Sequence, residues 1–189
     1  MNFKRLVSLA LLAILSASIQ ASELDLALSK ETAAIELQLD TDSISAQGAR
    51  LNIGGLYNED DDLLGFIGLT SGGEPTGDKP YSLGVGVRLY YAAIENPDVK
   101  VGAVALGANG RVKFSAGVPL ALAAEFYYAP KITAFEAADE VLDARIRFET
   151  AVSESATAFI GYRTVKLGLK SRSDYHVDDH VQLGVRLHF

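Results

Sequence analysis

The chain closes on VQLGVRLHF, Val181–Phe189, and the reading of that stretch decides the fold. Val181, Leu183, Val185, Leu187 and Phe189 are apolar, while His180, Gln182, Gly184, Arg186 and His188 are polar or small. A period of two marks an extended strand with two unlike faces, because successive side chains point to opposite sides. Chain ends are usually polar and frayed unless something ties them down. Alternation that runs to the final residue therefore predicts a last strand built into a sheet.

The same period recurs upstream. YSLGVGVRLYY sets Tyr81, Leu83, Val85, Val87, Leu89 and Tyr91 against Ser82, Gly84, Gly86, Arg88 and Tyr90. LALAAEFYY and LDARIRFE repeat the pattern, with Ala121, Ala123, Glu125 and Tyr127 on one polar or small face and Asp143, Arg145, Arg147 and Glu149 on the other. Turn-forming clusters separate the runs: NEDDD at 58–62, SGGEPTGDKP at 71–80, ENPD at 95–98 and SRSD at 171–174. The expectation is a single all-β unit with no internal repeat and no linker.

The first 21 residues stand apart. MNFKRLVSLALLAILSASIQA places Lys4 and Arg5 before an apolar run from Leu6 to Leu15, then small residues to Ala21. This is the layout of a secretory signal peptide, and the apolar run is too short to span a bilayer. Cleavage after Ala21 leaves residues 22–189 as one domain with 15 basic and 24 acidic residues, a net charge of −9. Such a chain lacks the clustered cations that a nucleic-acid partner requires. Without cysteine it has no disulfide framework and no thiolate chemistry.

Alternation alone does not distinguish inside from outside. A soluble barrel turns its apolar face inward, whereas a membrane barrel turns it to lipid and keeps small, polar and charged residues within. Three features favour the membrane form. The polar faces combine Gly, Ala and Ser with Arg and Glu. Aromatics fall near strand ends, at Tyr57, Tyr81, Tyr90, Tyr91, Tyr127, Tyr128 and Phe148, as interface girdles require. The exported chain also ends on a strand with a terminal Phe, like the C-terminal signal by which outer-membrane barrels are recognised for assembly. The fold class expected is an antiparallel transmembrane β-barrel of 8–10 strands, with ten favoured.

LYNEDDDLLGFIGL (56–69), YSLGVGVRLYY (81–91), EFYYAPKI (125–132), IGYRTVKLGL (160–169) and GVRLHF (184–189) together resemble the YfaZ family of predicted outer-membrane proteins of Gram-negative bacteria. The likeness extends over nearly the whole mature chain. It implies a small outer-membrane barrel, and it brings no catalytic motif.

Counting back from Phe189 gives a topology. The last strand runs inward to the periplasmic rim, so SES (153–155) is periplasmic and the loop around 166–178 is extracellular. PKITAFEAADE (130–140), ENPD and NEDDD follow as outer connections, with GANGRVKFSAG (107–117) and GGEPTGDK as inner ones. Strand 32–40 and a first strand at LDLALS (24–29) complete ten, an even number as closure requires.

The inward candidates are Arg50, Arg88, Glu125, Tyr127, Asp143, Arg145, Arg147, Glu149, Arg163, His180, Gln182 and Arg186. At this strand number side chains mostly fill the interior, so an ion-pair plug is expected, with a narrow polar conduit as the alternative. NEDDD lacks the spaced ligands and turn glycine of a calcium loop and reads as a solvated tip. DYHVDDH places Asp174, His176, Asp178 and His180 at even positions, hence on one face if extended. That face could hold a metal or, with Ser171 or Ser173, form a hydrolase centre at the rim, but no nucleophile motif accompanies it. No catalytic, cofactor or metal set is therefore assigned. The reading is a non-enzymatic barrel, structural or narrowly conducting. Its partners are outer-membrane lipid and, through Val181, Leu183, Val185, Leu187 and Phe189, the barrel assembly machinery. A rim enzyme acting on lipid or peptide and a soluble periplasmic binding barrel are the competing classes.

Deleting Phe189 is expected to reduce insertion into the membrane fraction at unchanged synthesis. Normal insertion of the truncated chain, followed by heat-modifiable gel migration, would contradict the role given to the terminal strand.

Overall fold

The computed structural model describes residues 21–40, 49–72, 75, 79–96, 98–116, 118–170 and 174–189. The signal peptide read at 1–21 lies outside them except for Ala21, as do Ser171 and Ser173. Strands run over Ala21–Leu28 (β1), Thr32–Asp40 (β2), Ala49–Asn58 (β3), Leu63–Ser71 (β4), Tyr81–Ile94 (β5), Val99–Ala116 (β6), Val118–Ala129 (β7), Ala134–Glu136 (β8), Ala138–Ser153 (β9), Ala156–Leu169 (β10) and Tyr175–His188 (β11). All but β8 pair antiparallel in one closed ring, in which β1 joins β11 from Glu23↔His188 to Leu28↔Leu183. Ten strands thus form a barrel with no free edge around the ring.

Chain order and antiparallel pairing put Ala21 and Phe189 at one end of the barrel, here the terminal end. At the far end lie Ser29–Glu31, Glu59–Asp62, Glu95, Asn96, Asp98, 130–137, Lys170 and Asp174. GANGRVKFSAG, expected as a connection, is strand throughout most of its length, because β6 continues to Ala116 and β7 begins at Val118. Gly107, Asn109 and Arg111 are tolerated in a strand because they line the interior of a narrow barrel. They are not turn signals there.

Local chemistry closes the far-end turns. Ser29 Oγ accepts the backbone N–H groups of Glu31 (3.1 Å) and Thr32 (2.8 Å), a hydroxyl-stabilised turn. Asn58 Oδ1 does the same for Asp60 (3.1 Å) and Asp62 (2.9 Å), while Asp61 takes the left-handed conformation at φ 64°. NEDDD is thus only partly a solvated tip. Glu59, Asp60 and Asp61 are exposed, but Asn58 and Asp62 are buried. Asp62 accepts from Asn58 Nδ2 (2.9 Å), the Tyr175 hydroxyl (2.5 Å) and the backbone of Glu95 (2.9 Å). One carboxylate therefore ties three connections together across the far end.

Beyond β7 the chain steps out at Pro130, makes a 3-10 turn over Lys131–Thr133 and returns as β8 to the edge of β6. The ring of Phe135 lies over Gly102, where a Cβ would stand 2.0 Å from it. Only glycine permits that approach.

The two barrel faces are sharply different. Outward side chains such as Leu26, Ile67, Leu83, Leu106, Phe148, Val181 and Leu183 are exposed and apolar, the arrangement of a transmembrane barrel. Tyr81, Tyr91, Tyr128 and Phe148 belong to that surface, but Tyr90 and Tyr127 do not. Both are 1% exposed and point inward, so they are not girdle residues. Inside, the far-end half is an apolar core of Leu56, Leu64, Ile94, Val101, Val141, Val165, Leu167 and Val177. The terminal half is charged.

Gly184, on the inner face of β11, faces the Phe159 ring, and a Cβ there would lie 2.2 Å from it and 2.4 Å from the Leu26 carbonyl. Gly184→Val should cost about 1–3 kcal/mol or more by overpacking. A lower urea midpoint for the barrel in detergent would record it, and an unchanged midpoint would contradict the packing described.

Candidate functional site

The inner positions of β1, β2, β5, β6, β7, β9, β10 and β11 bring charged side chains into one volume because every second residue of each strand points to the axis. Among the described residues, Arg88, Arg111, Arg145, Arg147, Arg163 and Arg186 meet Glu23, Asp25, Glu36, Glu125, Asp143 and Glu149. Equal numbers of the two signs leave the network neutral. That balance is what a low-dielectric interior demands, since an unpaired buried charge is costly.

Arg88 stands at its centre. The guanidinium is sandwiched between the rings of Phe66 and Tyr127, with Cζ 4.4 and 4.0 Å from the two centroids. Its Nη2 donates to Glu36 Oε1 (3.1 Å) and Glu125 Oε2 (2.9 Å), and Nη1 lies 3.7 Å from Asp143 Oδ2. Arg145 binds the remaining oxygens of the same two glutamates, Glu36 at 2.6 Å and Glu125 at 2.7 Å. Two arginines and two glutamates thus form a closed four-membered ring across the lumen. Arg163 forks onto Asp143 through Nε (3.1 Å) and Nη2 (3.0 Å), and the Tyr90 hydroxyl donates to Asp143 Oδ2 (2.9 Å).

A second set fills the terminal side. Arg186 forks onto Asp25 at 2.6 and 2.8 Å and approaches Glu23 at 3.1 Å. Arg147 joins Asp25 (2.7 Å) to Glu149 (2.6 Å), and Arg111 reaches Glu149 at 2.9 Å. The planar fork of arginine suits such shared carboxylates, where lysine would supply only a point charge.

Of the residues singled out in the sequence, Arg88, Glu125, Asp143, Arg145, Arg147, Glu149, Arg163 and Arg186 are joined directly. Tyr127 contributes its ring. Gln182 stands apart, donating to Asp178 (2.6 Å). His180 is also apart, with Nε2 3.2 Å from Glu31 and Nδ1 3.4 Å from Asp178. The four even positions of DYHVDDH do not share one face. A β-bulge opposite Val165 and Lys166 inserts an extra residue, so that Val177 and Asp178 are both buried while Asp174 and His176 are exposed. Among the described residues no hydroxyl contacts His180 in a nucleophile–base geometry, and no metal-ligating cluster occurs.

Four network members escaped the sequence reading: Arg111, because it fell in the stretch 107–117 expected as a connection, and Glu23, Asp25 and Glu36. The signal for the three acids was present, since Glu23 and Asp25 alternate with Leu24, Leu26 and Leu28, and Glu36 with Ile35 and Leu37.

The family model described as YfaZ precursor matches residues 1–189. The chain belongs to the YfaZ family. No curated protein matches it at the level of sequence. Among solved structures, the outer membrane channel DcaP of Acinetobacter baumannii is similar over 87% of this chain and 54% of its own, at 14% identity and a TM-score of 0.43. The chain therefore spans about half the length of that channel.

Asp25→Ala leaves Arg147 and Arg186 without their shared carboxylate and should cost about 3–5 kcal/mol, as for a broken buried pair. The urea midpoint of the refolded barrel measures this, and a loss under about 1 kcal/mol would show the pair to be solvated rather than buried.

Proposed function

We propose that this YfaZ-family barrel is an exported outer-membrane protein with a structural role and a lumen that does not conduct. The observation that carries this reading is the filled interior. A neutral arginine–carboxylate network occupies the terminal half and an apolar core the far half. Two cavities within the network are about 20 and 50 Å³, each with room for a few waters at most. An open file of water through the bilayer would need a continuous passage across both layers. Wide porin channels are built with many more strands.

The apolar exterior supports lipid as the surrounding medium, and the signal-like leader supports export. With the terminal end at the periplasm, Phe189 sits at the inner rim. Val181, Leu183, Val185 and Leu187 then present the apolar face of a closing strand to lipid and to the assembly machinery. The extracellular end carries the turn acids Glu59, Asp60 and Asp61. A rim hydrolase finds no support in the contacts of His180, which are to two carboxylates.

Planar-bilayer recording of the purified barrel is expected to show no unitary conductance above that of lipid alone. Reproducible steps that vanish in a variant of the lumen network would replace the structural reading with a narrow channel.

A further inference from the structure

The cavity of about 50 Å³ lies in the terminal half of the lumen, and its walls are chemically lopsided. Among the described residues, Arg50, Arg88, Arg111, Arg147 and Arg186 line it, against Glu36 and Glu125. The carboxylates that neutralise four of these arginines (Asp40, Asp25 and Glu149) are not among the lining residues. The network is neutral as a whole, yet the described residues turned to this cavity carry more positive than negative side chains.

Two buried polar atoms of lining residues have no hydrogen-bond partner among the described residues: Nε of Arg88, a donor on a residue 2% exposed, and Oδ1 of Asn109, an acceptor. Of the two only Arg88 Nε is a donor, and a buried donor without an acceptor is costly. Ser82, Arg50 and Arg111 are part-exposed, so the cavity has a route to the terminal end. It has none to the far end, where the Arg88–Glu36–Arg145–Glu125 ring and the apolar core close the barrel.

We propose that this dead-end vestibule binds a small inorganic oxyanion of the phosphate or sulfate class. Guanidinium forks match tetrahedral oxyanions, and the Ser82 hydroxyl adds a neutral donor. A water needs about 10–15 Å³, so the volume suits one such ion and excludes a nucleotide or a sugar. The excess of positive charge on the wall disfavours a cation, and the low dielectric strengthens the attraction for an anion. The site rests on the closed-lumen reading only for its being a dead end.

The test is calorimetric titration of the mature barrel in detergent micelles with inorganic phosphate at constant ionic strength. Saturable one-to-one heat is expected. Ser82→Leu and Asn109→Leu fill the cavity without changing its charge. Each, once its fold is verified by heat-modifiable migration, should weaken phosphate at least about tenfold. No saturable heat in the wild-type barrel overturns the proposal, as does full affinity in both filled variants. Conductance steps in a barrel that still binds phosphate would remove the closed-lumen reading and leave the site, so the two failures are separable.

Discussion

The structure depends on the contact between guanidinium and carboxylate inside a space that excludes water. Each of the six network arginines has a carboxylate oxygen within 3.1 Å. Such pairs repay desolvation only when geometry is good and remaining donors are used. The Arg88 sandwich and the shared Glu36 and Glu125 meet that condition by giving each charge several partners. Once the interior is charged and neutral overall, the exterior must be the apolar face of the same strands. A sheet with those two faces is then stable in lipid with its charged face enclosed.

Closure at the far end has a different basis. There the inner face changes from Arg and Glu to Leu, Ile, Val and Ala, and the lumen becomes an ordinary packed core. Tight turns at Ser29 and Asn58 keep this core dry, and Asp62 bridges β3–β4, β5–β6 and the start of β11. The bulge at Val177 serves the same end. It turns an apolar side chain into the core beside Asp178, whose carboxylate takes Gln182 and Thr32 as partners.

The layering also assigns different consequences to the two halves. The apolar half is insensitive to charge and seals the barrel. The charged half offers directional donors near the terminal end.

Much of this was legible in the chain. The period of two in YSLGVGVRLYY and VQLGVRLHF determined strands with one lipid-compatible face, and the even count of ten followed from turn chemistry at NEDDD, ENPD and SES. Periodicity also assigned Arg88, Arg145, Arg147 and Arg186 to the interior, because side-chain direction in a strand is a local property. Three things were not legible. Which acid meets which arginine depends on register between strands far apart in sequence, as with Asp25 and Arg186. The switch from charged to apolar lumen depends on height along the axis, which strand tilt and pairing set. The loss of phase in DYHVDDH depends on a bulge against β10. Sequence by itself determined the faces; only the tertiary structure decided the partners, because registry is fixed by packing around a closed ring.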